Sequence, residues 1–600
     1  MSKSKPNVVP PEDKIPSTGY RIKIKESIRK RLAEEENFYP IELEDFEEVE
    51  YKPYSTKEIV EEKLPPVKFV IDKYYLQRIR DDPSKVLVTL YLDYGYLKPN
   101  RVKEVVEINK KKPYLSKLKG KCQIRLFNDD LCELAVIPMK HSSEFPYHPL
   151  SSQPQLFLGL IENLEQKKDY HYRIECYNQE NVLIGSSKVV EFVAAVEDNK
   201  LPIFFISTSD LHGGSKARFK RGKGRGFRVR TNPDLTKLMN HIHVNEMEYT
   251  FNKGYQVFTS SGDNTDNGSY HQYWADLFTC ANPNLARIPI TPTIGNHDYF
   301  NGGFCRGSWM GGLHRTQKHF HIYFQNPRTS GGAFYSHTEG NVFMIHLDSL
   351  GLTWGNESIA CDSRQWEWLN RELSIWRHKA NEGIGPQFCI VFLHSAIFTI
   401  GFFGRATNNS DSVAQSCLTP LFDEYGVSAA VFGHDHMYQR SLWKSTQYMC
   451  IGVSGKTPIY YFDNLRNKTE YKIEKDEEGE KARGYGVTYV PPNHRIMSED
   501  EKIRFEEWLF TVKQQILNED IRKYYLFVTE EDQEDYKEMM VDLEEKEQFI
   551  EEKIIAKLKN CIWWRFYNVK GKLIDQAFLE PVQREIRDES FISCPNPHIR

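Results

Sequence analysis

The chain has 600 residues, 40% of them apolar and 27% charged. That is enough apolar material for several folded cores and excludes global disorder. Its 79 Lys and Arg against 83 Asp and Glu leave a net charge of −4, so overall charge directs it neither to nucleic acid nor to an anionic membrane. No run approaches the roughly 18 apolar residues of a membrane span, and no apolar stretch follows Met1-Ser2-Lys3-Ser4-Lys5. A soluble, cytoplasmic protein without a membrane partner is expected. The eleven cysteines include no C-x-x-C pair and read as reduced, buried thiols rather than a disulfide framework.

Residues 1–65, rich in Lys, Glu and Pro, predict a charged, mostly unstructured arm with one short helix around 28–32. From 66 to 197 the pattern becomes short β-branched or alternating runs at 86–92, 123–127, 156–160, 170–177 and 189–193, separated by turn-rich spacers. This predicts an all-β sandwich. Leu164 with Tyr170 six residues later resembles the tyrosine-corner strand of fibronectin type III domains, a fold that packs or positions other parts.

Between 198 and 497 six apolar runs each end in polar, chemically capable residues. The run at 203–206 leads to Asp210 and His212, and that at 257–260 to Gly262-Asp263. The run at 290–294 leads to Gly295-Asn296-His297-Asp298, and that at 342–347 to Asp348. The last two, 389–393 and 429–432, lead to His394 and to Gly433-His434-Asp435-His436. Helical stretches such as 364–377 lie between them. Buried strands with polar carboxyl ends describe an α/β layered sheet whose site forms beyond the strand ends. Residues 498–600 open with a capping box, Ser498 to Glu501, and predict a helical addition closed by a β-hairpin. A second capping pattern, Thr529 to Asp532, precedes an acidic helix with Met540, Leu543, Ile550 and Ile554 as its apolar positions.

Asp210, His212, Asp263, Asn296, His394, His434 and His436 are all oxygen or nitrogen donors. The set suits Mn, Fe or Zn rather than a soft thiolate-bound metal. Seven donors are too many for one ion with open positions and fit two ions sharing a bridge, for which Asp263 has two oxygens. Two cations flanking water would produce hydroxide near neutral pH and clamp a phosphate ester. His297, with Asp298 beside it, is the candidate to protonate the leaving alkoxide. The remaining histidines, His241, His243, His271, His314, His319, His321 and His337, read as structural or surface groups, with His314, His319 and His321 the candidates to line the pocket.

In their order and spacing these motifs resemble those of the calcineurin-like metallophosphoesterases. Gly433-His434-Asp435-His436-Met437-Tyr438-Gln439-Arg440-Ser441, Gln365-Trp366, Trp368-Leu369 and the upstream sandwich narrow the resemblance to the purple acid phosphatases. It implies a four-layer α/β/β/α sandwich. It also implies one ion on Asp210, His212, Asp263 and His436, and another on Asp263, Asn296, His394 and His434. The purple enzymes have Gly where His212 stands and a tyrosine ligand where Asp266 stands. Without that phenolate no iron charge-transfer colour is expected, and Asp266 is assigned a hydrogen bond behind the ligands.

The segment 216–230 carries eight basic residues, no acidic ones and three glycines. It reads equally as a solvated loop or as an electropositive flap for a polyanionic substrate, with Lys216 and Arg218 as candidate contacts. Arg405, in the glycine-containing loop after His394, is a third. The favoured function is hydrolysis of phosphomonoesters by in-line attack of a metal-bridging hydroxide. The alternatives are a phosphodiesterase or nuclease on a polyanionic substrate, nucleic acid being the less favoured partner, and a non-catalytic scaffold on the same fold.

Overall fold

A computed structural model describes residues 20–24, 46–50, 69–79, 82–92, 120–142, 154–196, 199–214, 232–249, 256–268, 271–299, 318–325, 333–349, 359–361, 363–399, 401, 410–455, 483–517, 552, 555–569 and 573–582. Two sheets build the half of the chain that carries the candidate donors. In the first, Ile203–Thr208, Val257–Ser261 and Ile290–Thr293 run parallel, with Gly484–Val490 antiparallel on the outer side of Ile203–Thr208. In the second, Val342–His346, Phe388–Phe392, Ala429–Phe432 and Thr446–Ile451 run parallel, flanked by antiparallel Tyr335–Glu339 and Tyr438–Trp443.

Strand alternation decides which residues meet. Phe205 and Val257 of the first sheet share a buried cluster with Met344, Ile390, Phe392 and Val431 of the second, so the sheets pack face to face. Phe204, Ile206 and Phe258 point the other way, onto Leu235, Leu238 and Trp274 of helices Pro233–Tyr249 and His271–Leu285. On the far side, Ile345, Val391 and Ala430 meet Trp366, Leu369, Leu418 and Phe422 of helices Arg364–Asn381 and Ser410–Tyr425. Ser363 caps the first of these by accepting from Trp366 N at 3.2 Å. The result is the expected four-layer α/β/β/α stack.

The amino-terminal sandwich is present but is not a separate sheet. Tyr74–Arg78 pairs antiparallel with Val86–Leu92 and also parallel with Ile290–Thr293, so one 15-stranded sheet runs from the sandwich into the half that carries the candidate donors. Its alternation serves two cores: Tyr74 and Leu76 face the sandwich interior, and Tyr75 faces the core beneath the donor-bearing strands. A buried Arg78–Glu339 ion pair joins the same strand to Tyr335–Glu339. The tyrosine corner forms, with Tyr170 OH accepting from Glu165 N at 3.0 Å.

The arm expected to lack structure contains an antiparallel pair, Tyr20–Ile24 with Phe46–Glu50. The helix expected at 28–32 lies outside the described residues, as does the acidic helix except for residue 552 of its described flank. The capping box at 498 is formed, Ser498 N donating to Glu501 Oε2 at 2.7 Å and Glu501 N to Ser498 Oγ at 3.3 Å. It opens Glu499–Leu517, and the closing hairpin, Ile562–Asn568 with Leu573–Leu579, extends the first sheet beyond Gly484–Val490. Cys122, Cys176, Cys280, Cys389, Cys417, Cys450 and Cys561 are buried free thiols. Cys361 departs from the expected reduced set in being disulfide-bonded, a pairing that sequence spacing does not encode. Among the described residues no helix is long and apolar enough to cross a membrane.

Candidate metal centre

The chain leaves each parallel strand through a sharp turn, and those turns carry the donors. Asp210, His212, Asp263 and His434 have φ of 53°, 45°, 51° and 69°. Four of the seven proposed donors therefore occupy the left-handed region that non-glycine residues avoid, a strain typical of functional sites. Gly262, at φ 95°, makes room as well: a Cβ there would lie 2.6 Å from His394 Nδ1. A Cβ on Gly433 would lie 2.0 Å from Asp210 Oδ2. Only glycine fits either place.

The turns bring the side chains to one point. Asp210 Oδ1 faces His212 Nε2 at 3.6 Å and His436 Nε2 at 3.3 Å. Its Oδ2 accepts from Ser209 Oγ at 2.7 Å and from His434 N at 3.1 Å. Asp263 Oδ1 accepts from His297 N at 2.8 Å and faces His394 Nε2 at 3.3 Å, while its Oδ2 faces His212 Nε2 at 3.5 Å. Asn296 Oδ1 sits 2.9 Å from His394 Nε2. His434 lies edge-on to His394, ring centroids 5.0 Å apart. Donor atoms of Asp210, His212 and His436 fall within 4.8 Å of one another, as do those of Asp210, Asp263 and His394 and those of His212, Asp266 and His297.

The rings are held from behind. His394 Nδ1 donates to Ser261 O at 2.9 Å, and His212 Nδ1 lies 3.2 Å from Asp266 Oδ1, the contact assigned to Asp266 from sequence. Both partners accept the Nδ1 proton, so Nε2 is the nitrogen that faces the carboxylate oxygens. Lone pairs directed at anionic oxygens repel unless a proton or a cation lies between them. Asp210 Oδ1, buried, accepts no hydrogen bond, which fits a cation-binding oxygen.

The proton balance agrees. Burial alone would raise the pKa of Asp263 and Asp210, but neighbouring imidazoles outweigh it and hold both well below the usual carboxylate range. Burial opposes charge on His394, yet Asp263 and then Asp210 raise it to about 10. His434 is pushed down to about 3, and His297 to about 4, chiefly by desolvation. The cluster thus keeps ionised Asp210 and Asp263 carboxylates, neutral His434 and His297 imidazoles and one strongly retained proton on His394. That is a donor set ready for cations of the Mn, Fe or Zn type.

Asp298 does not orient His297. Its Oδ2 accepts from Gly295 N at 3.0 Å and Asn264 Nδ2 at 2.9 Å, and its Oδ1 from Thr265 N at 3.0 Å. The adjacent position puts it on the loop-clamping side of the turn, and Asp266 O takes the His297 Nδ1 proton instead, at 2.7 Å. Asp348 likewise bonds Tyr299 OH, while its neighbour Ser349 Oγ accepts from His394 N at 3.2 Å and Ser395 N at 2.8 Å. The spacing of apolar runs carries no signal for such a serine. Asp276 was also missed: its carboxylate accepts from Gly214 N at 2.6 Å and Asn232 N at 3.2 Å. Lys216, Arg218 and Arg405 lie outside the described residues.

Residues 205–438 match the family model for calcineurin-like phosphoesterase. Two uncharacterized proteins of Mycobacterium tuberculosis, from strains CDC 1551 / Oshkosh and ATCC 25618 / H37Rv, are each 27% identical over 196 residues, 31% of this chain. The match spans 34% of each, about a third of the length of these relatives. The purple acid phosphatase PPD1 from yellow lupin (Lupinus luteus) seeds is similar with a TM-score of 0.56 at 13% identity, covering 88% of this chain and 77% of that one. That likeness establishes the fold.

Proposed function

We propose that this chain, whose residues 205–438 form a calcineurin-like phosphoesterase domain, is a metal-dependent phosphoric ester hydrolase that acts on phosphomonoesters. The observation that carries the reading is Asp263, whose Oδ1 and Oδ2 face different imidazoles, His394 and His212. One carboxylate placed in this way can serve two ions. Asp210, His212, Asp263 and His436 would hold one, and Asp263, Asn296, His394 and His434 the other. Bound there, Mn, Fe or Zn ions lower the pKa of water and offset charge on a phosphoryl group undergoing in-line displacement.

His297 is the proton donor of this proposal. Its Nδ1 proton is committed to Asp266 O, so Nε2, 3.8 Å from Asp263 Oδ2, is the nitrogen that delivers a proton to the leaving oxygen. Desolvation disfavours that proton, and the negative charge of an incoming phosphate favours it. Lys216, Arg218 and Arg405 are proposed substrate contacts. A cytoplasmic location is also proposed: seven buried free thiols support it, and the disulfide at Cys361 weighs against it.

One observation favours a second reading, a phosphodiesterase on a polyanion. Gly214 N and Asn232 N bond the same Asp276 carboxylate, so the basic stretch between them leaves and rejoins the described fold beside His212. Metal analysis of purified protein, with turnover of p-nitrophenyl phosphate against bis-(p-nitrophenyl) phosphate in added Mn, Fe or Zn, tests both. Two bound ions and monoester turnover are expected. Diester turnover alone favours the second reading, and a metal-loaded chain inert to both esters would make the fold a scaffold.

A further inference from the structure

Gly268 lies two residues beyond Asp266, and its peptide is held from both sides. Its N–H donates to the carbonyl of His297 at 2.8 Å. Its own carbonyl accepts from Trp274 Nε1 at 2.9 Å and from His319 Nδ1 at 2.7 Å. A carbonyl cannot donate, so the His319 contact fixes the proton on Nδ1. A Cβ at position 268 would lie 2.3 Å from the Asp298 carbonyl oxygen, so the peptide is pressed against the turn that carries His297.

The two donors are themselves anchored in the sandwich. His319 meets His271 edge-on at 4.7 Å between ring centroids, and Trp274 stacks on Tyr323 at 4.9 Å. His271 Nδ1 lies 2.5 Å from the Tyr323 hydroxyl. Tyr75 OH donates to Tyr323 O at 2.7 Å, Gln77 Nε2 to the same oxygen at 3.1 Å, and Tyr91 OH to His271 O at 3.1 Å. Tyr75, Gln77 and Tyr91 stand on Tyr74–Arg78 and Val86–Leu92, two strands of the amino-terminal sandwich. A continuous hydrogen-bonded and stacked path thus runs from those strands to the His297 backbone.

We infer that His319 and Trp274 are positioning residues for His297, and that through them the amino-terminal sandwich sets the angle of the proton donor. The inference rests on the reading of His297 as the group that protonates the leaving oxygen. Packing alone would be satisfied by apolar side chains. Two buried N–H donors converging on one carbonyl define where that peptide sits, and through it the His297 ring.

Three variants test this, each assayed with metal content and melting temperature beside turnover. In His319→Asn the amide nitrogen takes the place of Nδ1, and in His319→Gln it takes the place of Nε2. Trp274→Phe keeps most of the packing and deletes the second donor, which keeps the test decisive if a His319 variant does not fold. In His319→Gln, kcat should fall about tenfold with KM and bound metal unchanged, His319→Asn should recover most of the loss, and Trp274→Phe should fall about threefold. The loss should be larger for an alkyl phosphate than for p-nitrophenyl phosphate, because a poor leaving group needs its proton more. Equal losses in the Asn and Gln variants, or equal losses for the two leaving groups, overturn the inference. So does a Trp274→Phe protein with wild-type kcat on the alkyl ester. A wild-type protein inert to both esters sinks the proposed function instead.

Discussion

Two buried polar clusters border the same pair of sheets and obey opposite rules. Where the closing hairpin crosses the second sheet, Asp575 accepts from Arg440 Nε at 2.6 Å and Nη2 at 3.1 Å and from the Tyr438 hydroxyl at 2.5 Å. Opposite charges meet there in a bidentate pair, as a buried ion pair requires if it is to hold a fold together. At the strand ends, carboxylates face the Nε2 atoms of imidazoles, Asp210 Oδ1 accepts no hydrogen bond, and four donors sit in strained backbone. The first cluster is complete as folded. The second is complete only with something added, and that incompleteness is the mark of function.

The contrast fails if the two clusters answer alike to mutation. Asp263→Ala is expected to lower turnover by about 10³-fold or more and to strip bound metal, read by metal analysis and steady-state kinetics. Its metal-free melting temperature should fall less than that of Asp575→Ala, since the buried His394 imidazole can release its proton once the Asp263 carboxylate is gone, whereas a guanidinium cannot. Asp575→Ala should do the reverse. It leaves the Arg440 guanidinium buried without its carboxylate and costs about 3–5 kcal/mol of stability in urea denaturation, with metal stoichiometry retained. An Asp263→Ala protein that keeps its metal and turnover, or an undisturbed Asp575→Ala, would break the distinction.

Asp276 sharpens it, being a buried carboxylate with backbone donors but no cationic partner among the described residues. Burial raises its pKa from 3.8 to about 6, against the lowering effect of the Gly214 and Asn232 N–H groups. The folded chain therefore holds this proton where the unfolded chain has lost it. Stability from this group is full below pH 3.8 and declines as pH rises to about 6, by about 3 kcal/mol. Compared with Asp276→Asn, the wild type should lose that much more stability between pH 4 and pH 6.5 in parallel urea titrations. Parallel curves would mean that the Gly214 and Asn232 contacts hold the carboxylate ionised throughout.

Much of the catalytic half was legible in the chain because two periods carry it. Apolar runs ending in Asp210, Asp263, Asn296, His394 and His434 mark parallel strands, and the glycines at 262, 295 and 433 mark where the backbone must pass close to another donor. The helix over Arg364–Asn381 and the capping box at Ser498 follow from local hydrogen bonding and periodicity in the same way. Asp298 shows the limit, because adjacency in sequence says nothing about which face of a turn a side chain takes. Its carboxylate clamps Asn264 and Thr265, and the Asp266 carbonyl holds the imidazole instead.

Residue type and spacing determined which side chains can bind a cation and that they lie at strand ends, because donor chemistry and strand period are local properties. The tertiary fold decided the rest. It fused the sandwich to the catalytic sheet through Tyr74–Arg78, gave Ser261, Ser349 and Asp266 the backs of the ligands, and led a path from Tyr75 and Tyr91 to His297. Those assignments depend on which distant backbone carbonyls and hydroxyls come within about 3 Å of one another, a distance that only packing sets.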